Sequence, residues 1–182
     1  MRHFFRATMV AIMTYLTLLF VPTGTARALS DNDPVFTQRL QNHYGAPIAV
    51  DLAQTLTKAA IEEGRKNGWT LAVAVVDPGG GLVYFERMDG TQSASPEIAI
   101  EKARAAVAFR RSTKLLEDRV AAGRLQYLRL PLAMPIEGGL PIVVGDLIVG
   151  GIAVSGADSV QDGVAARAAM VALEETLRGR AR

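Results

Sequence analysis

The sequence predicts an α+β domain in which an antiparallel sheet of about five strands, built from two hairpins, is covered by helices. Two observations carry this. Residues 69–77 (WTLAVAVVD) and 147–155 (LIVGGIAVS) are β-rich and almost wholly apolar, and each has a second strand-like run one short turn away. Around these pairs lie segments whose apolar residues recur at helical spacing. The resulting order, helix–hairpin–helices–hairpin–helix, is that of a sheet with helices packed on it.

Each element has a local reason. Residues 47–67 place Ile48, Leu52, Leu56, Ala59 and Ala60 on one helical face, and Asn67-Gly68 stops the helix. Pro78-Gly79-Gly80-Gly81 turns the strand at 69–77 into a partner at 82–88. Ser95-Pro96-Glu97 combines a capping residue, a proline and an acid, the signature of a helix start, for a helix over 96–111. Its inward residues are Ile98, Ala99, Ala103, Ala106 and Val107. Its other face carries Glu101, Lys102, Arg104, Arg110 and Arg111. Thr113 caps a short helix that ends near Gly123, and 124–139, with Pro131 and Pro135, reads as irregular. Gly145-Asp146 is a two-residue hairpin turn with positive φ at its first position, joining strands 140–144 and 147–155. Asp158 or Ser159 caps a last helix with Val160, Val164, Ala168, Val171 and Leu177 as its buried stripe.

Three regions divide the chain. Residues 1–28 read as a signal peptide: Arg2, His3 and Arg6 form a basic start, 9–21 an apolar run, and Ala26-Arg27-Ala28 a cleavage site before Leu29. The run is too short for a spanning helix and ends at Pro22, so no stable membrane anchor is expected after cleavage. Residues 29–46 form an N-terminal segment, and 47–182 the domain. The expected location is periplasmic or secreted. Removing 28 of 182 residues leaves 154, enough for a single core. Arg2, Arg6 and Arg27 leave with the leader, so the formal charge falls from +2 to −1, and no nucleic-acid partner is expected. The chain has no cysteine, so no disulfide supports it.

The chemistry-bearing residues are few. The glycines at 79–81 precede a strand and lack a following Gly-Lys-Ser/Thr, which excludes a phosphate loop. Ser155 lacks the Gly-x-Ser-x-Gly frame of a hydrolase nucleophile. Carboxylates are scattered without metal-site spacing, and no metal is expected. Gly150 and Gly151 interrupt a strand, which marks a close approach by a helix, another backbone or a flat ligand. Arg87 and Asp89 pair in a turn or bind a carboxylate. Lys102, Arg104, Arg110 and Arg111 form a solvated face or a cradle for propionates or other anions. His43 is the one histidine outside the leader and the best axial haem ligand by chemistry, with Met88, Met134 and Met170 as alternatives.

RMDG after a hairpin, an Ala/Lys/Arg-rich helix ending in FRRST, GGLPI, and GGIAVSGADSVQDGVAARAAMVALE together resemble the GlcG/HbpS family of haem-degrading domains, over about residues 50–177. The resemblance implies a profilin-like antiparallel sheet and assembly into homo-oligomers. It also implies relatives of several kinds: extracellular haem-binding proteins linked to redox sensing and haem breakdown, proteins beside glycolate-use genes, and the C-terminal part of some cobalamin adenosyltransferases. By resemblance alone, Thr113 is a candidate contact to haem iron. The chain departs from the family at Thr91, Ala153, Ala157 and Val164, where relatives commonly carry alanine, glycine, glycine and, in the last helix, cysteine.

The sequence therefore points to an exported, homo-oligomeric protein that binds a small molecule, with haem or a related tetrapyrrole as the candidate cofactor. The candidate contacts are His43, Arg87, Asp89, Lys102, Arg104, Arg110, Arg111, Thr113, Gly150 and Gly151. One alternative is an enzyme or accessory factor for a small hydroxy- or oxo-acid, held by Arg87 and Arg111 with Asp89 or Glu137 as acid/base. Another is an oligomeric module without catalysis, in which Ala165, Ala166, Ala168 and Ala169 allow close subunit packing. Whether the protein is an enzyme is left open.

Overall fold

The computed structural model describes residues 32–180. The leader expected over 1–28 lies outside them. The sheet is assembled from β1 (His43–Tyr44), β2 (Ala72–Val76), β3 (Leu82–Arg87), β4 (Gly139–Val144) and β5 (Leu147–Ser155). Both hairpins form, β2 with β3 and β4 with β5, and β5 lies antiparallel against β2. Gly145 turns the second hairpin at φ 60°, a conformation that suits glycine. One feature departs from the all-antiparallel expectation. The short β1 adds to β5 in parallel, His43 opposite Leu147 and Tyr44 opposite Ile148, so the five-stranded sheet is mixed. A two-residue strand has no readable period, and the sequence gives it no signal.

The helices are α1 (Pro34–Thr37), α2 (Val50–Asn67), α3 (Ser95–Phe109), α4 (Thr113–Ala121) and α5 (Ser159–Arg180), with a 3-10 turn at Leu125–Arg129 inside the stretch expected to be irregular. All five residues of β2 are buried, because both faces of the sheet are covered. Val73 and Val75 pack with Leu56, Ile61, Ile152, Val154, Ala165 and Met170, the side of α2 and α5. Ala72, Ala74, Val76 and Ala153 pack with Ala99, Ala103 and Val107 of α3. Each fully buried Leu, Ile or Val stabilises this core by roughly 1.5–3 kcal/mol relative to exposure.

Two helix readings need correction. Ser95 does not cap α3. The cap is Ala94, and the Ser95 hydroxyl is buried inside the first turn without a hydrogen bond among the described residues. The true serine cap is Ser112, whose oxygen accepts from the Leu115 amide ahead of α4, and Thr113 is the first helical residue. The expected stripe of α5 is rotated. Val160, Val164 and Val171 are exposed, and Ala165, Ala166, Ala169, Met170 and Leu173 are buried. Small residues let α5 approach α2 closely, so these alanines are spent inside this chain's own core rather than presented to another subunit.

Candidate functional site

The sequence-derived candidates fall into four places rather than one. The first is the RMDG turn at the end of β3, where Arg87 and Asp89 are exposed. Thr91 fixes this turn: its hydroxyl lies 2.8 Å from the Met88 carbonyl and 3.2 Å from that of Leu71. The departure from alanine at 91 thus adds a hydrogen-bond donor to the turn.

The second place is the glycine pair. A methyl at Gly151 would meet Val107 Cγ2 at 2.6 Å and the Ala103 carbonyl oxygen at 2.8 Å, and one at Gly150 would run into the Val76 carbonyl. Helix α3 and strand β2 therefore occupy the space that the glycines leave. Ala153, another departure, is fully buried against the same helix. The pair does not line a slot for a flat ligand, because protein backbone already fills it.

The third place is the C-terminal half of α3. Arg104 donates from Nε to the Gly80 carbonyl at 3.0 Å and from Nη1 to Glu101 at 2.7 Å. It borders an open groove of about 380 Å³ between the Pro78–Gly81 turn and α3, with Val107, Ala108 and Leu132 as apolar lining. Asp77 holds the turn by accepting from the Gly79 and Gly81 amides at 2.7 and 2.9 Å. Arg110 and Arg111 point elsewhere. Arg110 stacks 5.7 Å from the Tyr44 ring and donates to the Asn42 carbonyl, tying the N-terminal segment to α3. Arg111 donates to the Phe109 carbonyl, and its pKa is lowered, chiefly by burial and also by Arg39 and Arg119, with Tyr127 opposing. His43 is exposed on β1.

The fourth place is a buried grouping around Lys102. Lys102 is not on the solvated face with the arginines; it is buried, 1% exposed, and donates to Asp162 at 2.8 Å and to the Val154 carbonyl at 3.2 Å. Asp162 also accepts from the Ala157 amide at 3.1 Å. Burial pushes the Asp162 carboxyl above its usual range, against the pull of Lys102. The signal was present: Ala99, Lys102, Ala103 and Ala106 share one helical stripe, which puts Lys102 on the inward face. Next to this pair, Gly138 and Gly139 pass close by; a methyl at Gly138 would lie 3.0 Å from Lys102 Nζ. Thr113 is fully buried and accepts from the Gly139 amide at 2.8 Å. Beyond the glycines lies a small cavity of about 20 Å³ lined by Phe36, Ser112, Lys114, Glu137, Leu140 and Arg167, among others. Glu137 is 7% exposed, and its carboxyl is raised above the ordinary range, first by burial, with Lys114 and Arg167 pulling it down and Glu117 and Asp118 pushing it up.

Arg87 and Glu137 are not brought together. Arg87 ends β3 at one edge of the sheet, and Glu137 precedes β4 at the other. No contact joins Arg111 to Glu137 either among the described residues. The hydroxy-acid alternative therefore loses the grouping of residues first assigned to it. No cluster of His, Asp and Glu among the described residues is arranged to hold a metal ion. Among the same residues, no helix is long and apolar enough to cross a membrane.

Comparison with known proteins places this geometry in context. A family model described as haem-degrading protein HbpS-like matches residues 48–171. Protein GlcG of Escherichia coli K12 is 39% identical over 108 residues, covering 59% of this chain and 81% of that protein. The crystal structure of HbpS superposes with a TM-score of 0.66 at 30% identity, over 73% of this chain and 94% of the other. A crystal structure of a PduOC–haem complex superposes with a TM-score of 0.64 at 27% identity, over 70% and 95%.

Proposed function

This chain belongs to the HbpS-like family, and from that premise we propose that it binds haem or a related tetrapyrrole in the groove beside α3. The observation that carries the reading is the meeting of an apolar lining (Val107, Ala108, Leu132) with Arg104 at an open groove of about 380 Å³, a size within the range of small-molecule sites. The macrocycle lies on the apolar residues, an outer edge stays in solvent, and the Arg104 guanidinium meets a propionate. Neither axial candidate is assigned to the iron: Thr113 is enclosed with its hydroxyl engaged, and His43 follows the alternation of β1 away from Tyr44, whose hydroxyl reaches the Val107 carbonyl of α3 at 3.0 Å. A haem-bound relative of the same fold supports the reading.

Haemin titration of the purified protein tests it. A saturable Soret shift that is weakened about tenfold by Arg104→Glu, the loss of one charge-assisted contact, is the expected outcome. A non-saturating response in the wild type would end it.

The proposed setting is periplasmic or extracellular, supported by the leader-like residues 1–28; an exported protein starting at Leu29 by mass spectrometry is the check. The proposed working form is a homo-oligomer, supported by Leu125, Leu128, Leu130, Leu132 and Ile136, all exposed on one continuous stretch. Apolar patches of this kind mark interaction surfaces, and sedimentation equilibrium reads the association.

A further inference from the structure

Beyond the C-terminal end of β5 lies a second open hollow, of about 520 Å³, that shares no lining residue with the haem groove. The end of α2, Trp69 and Thr70 ahead of β2, Gln92 ahead of α3, and the turn from Gly156 to Gln161 surround it. Gly156 draws two of these walls together. It adopts φ 149°, and a methyl there would collide with the Thr70 carbonyl and lie 2.9 Å from Leu71 Cα. Gln161 is held by its Oε1, which accepts from the Asp158 amide at 3.1 Å as in a capping box, and its NH2 group keeps no intramolecular partner. Asp158 stands at the start of α5, its carbonyl accepting from the Asp162 amide at 2.9 Å. Among the described residues, no helix amide and no cation engages the Asp158 carboxylate, and neither the Gln92 side chain nor the Trp69 indole N–H makes a hydrogen bond. The Thr70 hydroxyl is loosely held, 3.5 Å from the Gly90 carbonyl.

We propose that this hollow binds a neutral polyhydroxylated molecule, a sugar or cyclic polyol. The lining mixes donors and acceptors: the Trp69 indole and the Gln161 NH2 group donate, Asp158 accepts, and Gln92 and Thr70 do both. A hydroxyl also does both, so a run of adjacent hydroxyls matches such a set. A carboxylate only accepts and an ammonium only donates, and each leaves half of the set unused. Charge points the same way. No basic side chain lines the hollow, Asp158 brings a full negative charge, and α2 ends there with the negative pole of its dipole. The positive pole of α5 is offset by Asp158 and by Asp162 in its first turn. Anions are therefore disfavoured, and a ligand hydroxyl donating to Asp158 gains a charge-assisted bond. The apolar share of the lining is small. Trp69, packed on one side against the core, offers its ring to the C–H face of a sugar while the polar groups take the hydroxyls. The volume is within the range of small-molecule sites.

Trp69 is the sole tryptophan of the chain, so its fluorescence reads the hollow directly. The probes are D-glucose, D-mannose, D-ribose and myo-inositol, titrated into the full chain, with cyclohexanol, lactate and butylammonium as controls. At least one of the four polyols is expected to give a saturable change. Cyclohexanol has the carbon ring of inositol with a single hydroxyl, and it is expected to bind at least about tenfold more weakly. The two charged controls are expected to give no saturable change. Asp158→Asn is expected to weaken the bound polyol about tenfold, as a charged hydrogen bond becomes a neutral one. Its melting temperature stays near that of the wild type, because asparagine caps a helix as well as aspartate. Gln92→Ala, in an exposed loop, is expected to weaken binding as well without disturbing the fold. Haemin titration of Asp158→Asn is expected to match the wild type, so the hollow and the haem groove are read separately. The proposal is overturned by no saturable change with any of the four polyols, by equal affinity in the wild type and Asp158→Asn, or by cyclohexanol or lactate binding as tightly as the polyol.

Discussion

Replacing Lys102 by methionine isolates the energetics of the buried pair. Lys102 and Asp162 have side chains 1% and 3% exposed, 2.8 Å apart, in a part of the fold that water does not reach. Methionine keeps most of the length and apolar volume of the lysine stem, so packing changes little. It strands the Asp162 carboxylate with the Ala157 amide as its remaining bond and removes the donor to the Val154 carbonyl. Breaking one side of a buried ion pair costs roughly 3–5 kcal/mol. At about 2–4 °C per kcal/mol for a domain of this size, the melting temperature falls by roughly 6–20 °C. The double variant Lys102→Met/Asp162→Asn removes both charges and leaves an acceptor for Ala157. It recovers about half or more of the loss, because replacing a whole buried pair is far less damaging than halving it. Urea denaturation of the three proteins measures these differences. A single-variant loss below about 1 kcal/mol, the value of a surface ion pair, or a double variant no more stable than the single, would refute the reasoning.

Other predictions follow from the same structure. Gly151→Val drives a side chain into Val107 and the Ala103 carbonyl, and an overpacked core loses about 1–3 kcal/mol or more in thermal melts; unchanged stability with lost haem binding would instead restore the glycine pair as a ligand slot. The Glu137 carboxyl is raised in the folded state, so its contribution is fully present below the unfolded value near 4.5 and is lost as pH rises through the higher folded value. Glu137→Gln removes that loss, and the variant is at least as stable as the wild type at pH 7, with the gap closing toward pH 4 in pH-dependent melts. A variant clearly less stable at pH 7 than the wild type would contradict this.

Much of the fold was legible because its signals are local. The glycine-bounded apolar runs named both hairpins, and the Leu52/Leu56/Ala60 spacing named the buried face of α2. The buried face of the last helix is hard to read for a physical reason: alanines and valines alternate around it, so no face is distinctly apolar, and closeness to α2 selects the small side. β1 is too short to have a period. The site was less legible. Arg104 and the glycine turn at 79–81 come together through tertiary packing. So do Phe36, Lys114, Glu137 and Arg167, which are separated by up to 131 positions in a chain of 182. The charge of Lys102 suggests solvent, whereas its place in the alanine stripe points inward. Thr113 came in by family resemblance, and its hydroxyl serves the Gly139 amide.

Haemin titration of wild type and Arg104→Glu side by side, followed in the Soret region, tests the central claim most directly. A saturable, near-stoichiometric shift in the wild type that is weakened about tenfold in the variant is the predicted result. Equal curves for the two proteins would contradict the groove assignment, and a flat wild-type response would contradict haem binding itself.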